Sequence, residues 1–253
     1  ALAEKVAGSA DKAVELMNSR AKMLGMNGTV YTDCTGMEEG NVTTANDTAL
    51  LCSELAKYKN LTPYLTCWLD TVRDGKAELV NLNRLVRTYK GVTGMKAWGS
   101  EKAGSCIAAT AEKGDMSVCV VLNGCDSQED MNTEAKKLLN LAFDTYEIYT
   151  PELPEDMVKE IVVCGGEELS VELAPEGLYP IVIPRGTYRM VECDFTAEEK
   201  LDAPVKNGET AGEIRYTMGG EVILEGKIVA CKEVKKMNFI CGIKKLVYNL
   251  LSM

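Results

Sequence analysis

Between Gly91 and Leu122 the sequence alternates turn signals with strand-like runs, and no other stretch constrains the fold as tightly. Gly91 and Gly94 lead into Met95-Lys96-Ala97-Trp98-Gly99-Ser100-Glu101-Lys102-Ala103-Gly104. Ile107 to Ala111 is short and strand-like, and after the turn at Lys113-Gly114-Asp115 a Val-rich, uncharged run extends from Met116 to Leu122. Short apolar runs bounded by Gly, Asp and Ser read as buried strands, because a helix of that length is marginal and glycine interrupts it. The chain builds a sheet here, and the flanking segments must cover it.

Those segments are helical. Leu2, Val6, Ala13, Leu16, Met17, Ala21 and Leu24 fall on roughly one helix face, with an interruption at Gly8-Ser9 and a stop at Gly25. The opening Ala1 to Ala7 is already helical in pattern with no cap before it, which reads as a truncated start. Thr43 or Thr44 caps a second helix with Asp47 in its first turn. Thr66 to Val72 and Ala77 to Val80, separated by Arg73-Asp74-Gly75, form a hairpin. Glu129 to Tyr149 is an amphipathic helix with Ala135, Leu138, Leu139, Leu141, Ala142 and Tyr146 inward. Thr150-Pro151-Glu152-Leu153-Pro154 breaks that helix and marks a domain boundary. Beyond it, from Val158 to Glu233, short alternating runs are separated by Gly-Gly, Pro-Glu-Gly and Asn-Gly, an all-β pattern whose last strand includes Lys227 to Ala230. Residues 235–253 place Phe239, Ile240, Ile243, Leu246, Val247, Leu250 and Leu251 at helical spacing with lysines off that face. Such a basic amphipathic helix suits a membrane interface or packing against the β domain.

Charge and residue usage narrow the chemistry. A net charge of -10 and the lack of a basic stripe in the first 230 residues argue against a nucleic-acid partner, since phosphate binding rests on clustered Lys and Arg. Histidine is absent, so no Ser-His-Asp or Cys-His pair and no His-containing zinc site can be built. Any covalent chemistry uses Lys, Tyr or a carboxylate as base. The ten cysteines are spaced without Cys-x-x-Cys, which disfavours a structural metal, and neither metal nor cofactor is expected. So many thiols suit a reducing setting. The sequence contains neither a signal peptide nor an apolar run of transmembrane length.

The words of this chain, in order, resemble the low-molecular-mass penicillin-binding proteins, the serine-type D-alanyl-D-alanine carboxypeptidases. Leu16 to Met26 resembles their helix after the Ser-x-Asn element, and Thr29-Val30-Tyr31-Thr32-Asp33-Cys34-Thr35-Gly36-Met37 and Thr43 to Leu51 resemble the segments that follow. Asn81-Leu82-Asn83-Arg84-Leu85 resembles the approach to their third signature element, Gly-x-Lys-Thr-Gly-x-Thr-x-x-Ala-Gly. Here that element reads Gly94-Met95-Lys96-Ala97-Trp98-Gly99-Ser100-Glu101-Lys102-Ala103-Gly104, so Ala97 and Trp98 stand where the family has Thr and Gly. Ile183-Pro184-Arg185-Gly186 and Ala203 to Gly212 resemble the small β domain that follows the catalytic one.

The resemblance implies an α/β (α+β) transpeptidase/β-lactamase-like domain, N-terminally truncated, over residues 1–149, a small all-β domain over 150–234, and an amphipathic helix, a possible membrane anchor, over 235–253. A β-lactamase would lack the last two. The implied activity is removal of terminal D-Ala from peptidoglycan pentapeptide stems through a serine acyl-enzyme, on the extracytoplasmic side of a bacterial membrane. Partners would be the stem peptide, β-lactams where the site is intact, and the membrane surface.

The Ser-x-x-Lys and Ser-x-Asn elements are expected upstream of Ala1, leaving no catalytic residue here and no turnover by this chain. Ser9-Ala10-Asp11-Lys12 and Ser19-Arg20-Ala21-Lys22 spell the first element, and Tyr58-Lys59-Asn60 a variant of the second, but in the wrong context. Lys96 and Ser100 are the substrate-binding candidates, on one strand face with Trp98. Without the family frame Lys96 is an ordinary solvated strand-edge lysine. Asn83 and Arg84 either support the site or cap the loop. The alternative function is a catalytically inactive cell-wall binding or scaffold protein, given Lys-Ala-Trp in place of Lys-Thr-Gly.

Overall fold

The computed structural model describes residues 1–239, and they divide into two compact units, Ala1–Thr145 and Tyr146 onward. In the first unit, helix α1 (Leu2–Ala7) ends at Gly8, whose left-handed backbone (φ 86°) stops it. Ser9 then caps α2 (Ala10–Met23) by accepting from the Lys12 N–H at 3.2 Å. Thr44, rather than Thr43, caps α3 (Ala45–Ala56), its hydroxyl accepting from Asp47 N–H at 3.0 Å. The buried Asp47 carboxylate in turn accepts from Gly28 N–H at 2.8 Å and Thr29 Oγ1 at 2.7 Å, which ties the α2–α3 connection to the helix it precedes.

After a short helix α4 (Thr62–Leu65), β1 (Leu69–Val72) and β2 (Ala77–Val80) form the expected hairpin. Its tip takes the left-handed backbone at Asp74 (φ 56°) and Gly75 (φ 80°), as an Asp-Gly turn does. A four-residue helix α5 (Leu85–Thr88) leads to the central sheet, β3 (Val92–Ser100), β4 (Gly104–Lys113) and β5 (Met116–Cys125), antiparallel throughout and in that order. Gly91, at φ 94°, admits no side chain, because a Cβ there would lie 2.5 Å from the Glu112 carbonyl oxygen.

Central strand β4 is buried along most of its length, and its small residues explain how both faces can be covered closely. Ile107, Ala109 and Ala111 pack with Leu85, Ala97, Val120, Met131, Ala135, Leu139 and Phe143, a core beneath α6 (Gln128–Thr145). On the other face Ala108 packs with Cys52 of α3, Met95, Trp98, Cys119 and Val121.

Two features of α6 depart from expectation. Its buried stripe is Met131, Ala135, Leu139 and Phe143, strictly four residues apart, while Leu138 and Leu141 are exposed. Apolar content alone had assigned those two leucines inward. The helix also ends at Thr145 and not at Tyr149, because Tyr146–Tyr149, rich in strand formers, becomes β6 and pairs with β9 (Ile181–Pro184).

The second unit is all-β. A six-stranded sheet runs β10 (Val191–Ala197), β12 (Thr210–Met218), β13 (Glu221–Ala230), β8 (Ser170–Glu176), β7 (Glu160–Cys164), β11 (Lys200–Asp202), with β11–β7 parallel and the other pairs antiparallel. Its core gathers Ile161, Val171, Ile214, Tyr216, Ile228 and Val234. Tyr216 is wholly buried and keeps its hydroxyl satisfied by donating to the Glu152 carbonyl at 2.9 Å. No helix among the described residues is long and apolar enough to cross a membrane. From residue 240 on, the amphipathic helix assigned to 235–253 lies outside the described residues.

Candidate active site

Strand β3 is hydrogen-bonded to β4 on one side, with Lys96 opposite Ala108, Trp98 opposite Cys106 and Ser100 opposite Gly104. Strand alternation sends Lys96 and Trp98 to the α3 face and Ala97 to the α6 face. The packing agrees: Trp98 is half-buried against the Cys52–Met95–Ala108 cluster, whereas the Ala97 methyl is sealed among the residues under α6. Lys96 is exposed, and its ammonium has no carboxylate within ion-pair reach among the described residues. In so acidic a chain an unpaired lysine on a sheet edge is a ready receptor for an external anion.

Ser100 stands at the end of the strand. Its Oγ accepts from Ala103 N–H at 3.0 Å, so the hydroxyl closes the β3–β4 turn. Lys102 of that turn is ion-paired with Glu39, from the loop Asp33–Asn41. Asp33 organises this loop: its carboxylate accepts from the amides of Thr35 (2.9 Å), Gly36 (3.0 Å) and Met37 (3.3 Å) and from the Thr35 hydroxyl and Asn41 amide. Those bonds, the Thr35 hydroxyl's first, hold the Asp33 carboxyl well below the usual carboxylate range.

Asn83 ties its loop to the start of β3 and does not merely cap it. Fully buried, it donates from Nδ2 to the Gly94 carbonyl at 3.2 Å, two residues before Lys96, and accepts at Oδ1 from Leu85 N–H at 3.1 Å. Its own N–H donates to Asn81 Oδ1 at 2.9 Å, and Asn81 Nδ2 donates to the carbonyls of Leu65 (3.1 Å) and Cys67 (3.0 Å). The Asn-x-Asn word thus clamps α4, the hairpin and α5 to the start of β3. Arg84 is solvent-exposed at the N-cap of α5.

Neither Ser-x-x-Lys word forms a nucleophile–base pair. Ser9 Oγ is engaged as an N-cap by the backbone N–H of Lys12, Ser19 is exposed in α2, and neither hydroxyl is hydrogen-bonded to the side-chain ammonium of its lysine. Lys59 of Tyr58-Lys59-Asn60 is ion-paired with Glu112 near the far end of β4.

An antiparallel sheet sandwiched by helices, with a lysine on its edge strand and a β domain following, defines a transpeptidase-like architecture. The comparisons agree with it. Residues 1–126 match the family described as D-alanyl-D-alanine carboxypeptidase, and residues 143–236 match the one described as penicillin-binding protein 5, C-terminal domain. D-alanyl-D-alanine carboxypeptidase DacF of Bacillus subtilis is 32% identical over 250 residues, covering 97% of this chain and 64% of that protein. DacC of Escherichia coli is 30% identical over 242 residues, covering 94% and 60%. The fold also matches the crystal structure of penicillin-binding protein 5 from Haemophilus influenzae, with a TM-score of 0.77 at 24% identity over 93% of this chain and 69% of that one. The chain belongs to the D-alanyl-D-alanine carboxypeptidase family of low-molecular-mass penicillin-binding proteins. It spans 64% and 60% of the length of the two curated relatives just named.

Proposed function

We propose that this chain forms part of a serine-type D-alanyl-D-alanine carboxypeptidase of peptidoglycan maturation, in which Lys96 receives the terminal carboxylate of the stem peptide. The unpaired Lys96 ammonium on an edge strand carries the reading. A peptide laid along that edge gains main-chain hydrogen bonds from β3. Its carboxylate gains a charge-assisted bond from the lysine, with Asn83 fixing the strand two residues away. The Ser100 hydroxyl, already accepting from Ala103, keeps its proton to donate to the same ligand.

In the reaction a serine hydroxyl attacks the carbonyl of the D-Ala-D-Ala bond, the terminal D-Ala leaves as its amine, and water hydrolyses the acyl-enzyme. The residues of this chain bind and orient, and none of them is assigned as the nucleophile. Trp98 narrows the space beside Lys96 that a glycine would leave open. β-Lactams are ligands of the same edge, and the place of action is the extracytoplasmic face of the cell membrane and the wall. The membrane contact of residues 235–253 is not part of this reading.

The test is calorimetric titration of the native protein with a peptide ending in D-Ala-D-Ala and with the same peptide amidated at its C-terminus. The free acid is expected to bind, and Lys96→Met to weaken it about 10- to 100-fold, the worth of a hydrogen bond to a charged group. Equal binding of acid and amide, or an unaltered Lys96→Met variant, overturns the assignment. Absence of binding altogether overturns it as well.

A further inference from the structure

Beside the β1–β2 hairpin the surface opens into a cavity of about 540 Å³, within the span of roughly 300–1,000 Å³ common for small-ligand sites. Trp68, Val80 and Leu82 give it an apolar wall, and Arg84, Arg87 and Gln128 supply polar groups. No carboxylate among the described residues lines it, although the chain carries 38 acidic residues against 28 basic ones. None of the lining residues belongs to β3, the strand of Lys96.

Both arginines are uncommitted. Arg20 and Arg215 find carboxylate partners, whereas neither Arg84 nor Arg87 has one among the described residues. Arg87 instead lies over the Trp68 ring, its guanidinium carbon 5.0 Å from the centroid. Stacking on an indole face restrains a guanidinium and leaves its in-plane N–H groups able to donate, so less freedom is lost when an anion arrives. Arg84, at the N-cap of α5, and Arg87, within it, are three residues apart, a spacing that sets both on one side of a helical turn. The frame around them is held by hydrogen bonds. Asn81 N–H donates to the Trp68 carbonyl at 2.9 Å, closing the base of the hairpin, and Thr88 Oγ1 donates to the Arg84 carbonyl at 2.9 Å. The exposed Gln128 side-chain amide, without a hydrogen-bond partner among the described residues, adds a donor and an acceptor.

We propose that this cavity binds a small ligand carrying an oxyanion, a carboxylate or a phosphate ester, on an apolar body. The Arg84 and Arg87 guanidinium groups receive the oxyanion through charge-assisted hydrogen bonds in the fork geometry that suits both head groups. The apolar body covers Trp68, Val80 and Leu82, of which Val80 and Leu82 are otherwise exposed to water. A neutral ligand of the same shape gains the apolar contact alone. A lysine in place of Arg87 keeps the charge but loses the planar fork and its stacking on the indole, so it does not replace the arginine.

The experiment titrates the full, isotope-labelled chain with phenylacetate, with phenyl phosphate and with neutral phenylacetamide, and follows the indole N–H signals of Trp68 and Trp98 by NMR. Trp98→Phe assigns the two. A saturable shift of the Trp68 signal is expected with at least one of the anions, and the tighter of the two identifies the head group. The amide is expected to bind about 10-fold more weakly or worse, and Arg84→Leu and Arg87→Leu to weaken the anion about 10- to 100-fold, the worth of a hydrogen bond to a charged group. Arg87→Lys should not restore it. In Lys96→Met the Trp68 response should persist, which keeps this cavity apart from the β3 edge. The proposal fails if neither anion shifts Trp68 saturably, if the amide binds as tightly as the anions, if neither arginine variant weakens binding, or if the response disappears in Lys96→Met. The comparison of anions with amide on the wild type decides alone should a variant not fold.

Discussion

Asn83→Ala tests the support of the Lys96 strand most directly. The side chain is fully buried and makes two hydrogen bonds, to the Gly94 carbonyl at 3.2 Å and from Leu85 N–H at 3.1 Å. Truncation leaves both backbone groups without that partner in a site closed to water, at roughly 1–3 kcal/mol for each. The sum is about 2–6 kcal/mol, a large share of the 5–15 kcal/mol that holds an ordinary domain together. In a domain of this size that lowers the thermal midpoint by about 4–24 °C, at roughly 2–4 °C per kcal/mol.

Asn83→Asp separates the hydrogen bonds from the volume. It keeps the acceptor facing Leu85 but turns an oxygen toward the Gly94 carbonyl, and a buried carboxylate so placed has its folded pKa raised above the unfolded value. The folded state then holds more protons than the unfolded one, so this variant loses stability as pH rises and recovers part of it on acidification, when the carboxylic acid can again donate. Denaturant titrations at pH 5 and pH 8 read both effects. A midpoint for Asn83→Ala within about 0.5 kcal/mol of wild type refutes the reasoning, since that is the scatter of surface substitutions. So does an Asn83→Asp variant that becomes relatively more stable with rising pH.

Other perturbations act on single, nameable contacts. Leu139→Ala, at a fully buried position of α6, should cost about 2–5 kcal/mol in denaturant unfolding, whereas exposed Leu141→Ala should cost well under 1. Asp33→Ala should speed amide hydrogen exchange at Thr35, Gly36 and Met37, and unchanged rates would remove Asp33 as organiser of that loop. In the wild type, the depressed Asp33 carboxyl contributes stability that is complete above the unfolded value near 3.9 and is lost as pH falls through the lower folded value, so the same amides should lose protection below about pH 4. Ala97→Thr sets a hydroxyl among apolar neighbours under α6 and should destabilise by about 1–3 kcal/mol, while Trp98→Gly clears the Lys96 face and should strengthen binding of a D-Ala-D-Ala peptide. A stabilised Ala97→Thr variant would show that this methyl does not face the α6 core.

Much of this was legible because it is local. The Asp74-Gly75 turn, the break at Gly8-Ser9, the cap at Thr43 or Thr44, and the runs around Gly114 announce themselves within a few residues, and the ordered family words place Lys96 on its strand. What escaped depends on distant partners. That Asn83 reaches Gly94 and that Asp47 is met by Gly28 and Thr29 are facts of tertiary approach, which residue types alone do not encode. Position 97 shows the limit from the other side: the motif marks the missing threonine hydroxyl as a lost ligand contact, yet alternation along β3 turns Ala97 toward α6. The helix α6 was found but misread, because leucines count as apolar wherever they point, and its end was hidden by Tyr146–Tyr149, whose strand partner β9 lies far along the chain. The order of the six-stranded sheet, with its parallel β11–β7 pair, has no local signature at all.

The pairing of β3 on one side has a cost in solution behaviour. A strand edge that accepts a peptide is open in principle to any extended segment, including the same edge of another molecule, and such contacts seed aggregates. Lys96 guards against that outcome: two copies meeting edge to edge would bring their ammonium groups together, whereas a peptide ending in a carboxylate brings the opposite charge. Under the proposed function one residue would sort guest from self by sign, and neutralising it should show first as turbidity at high protein concentration and low salt.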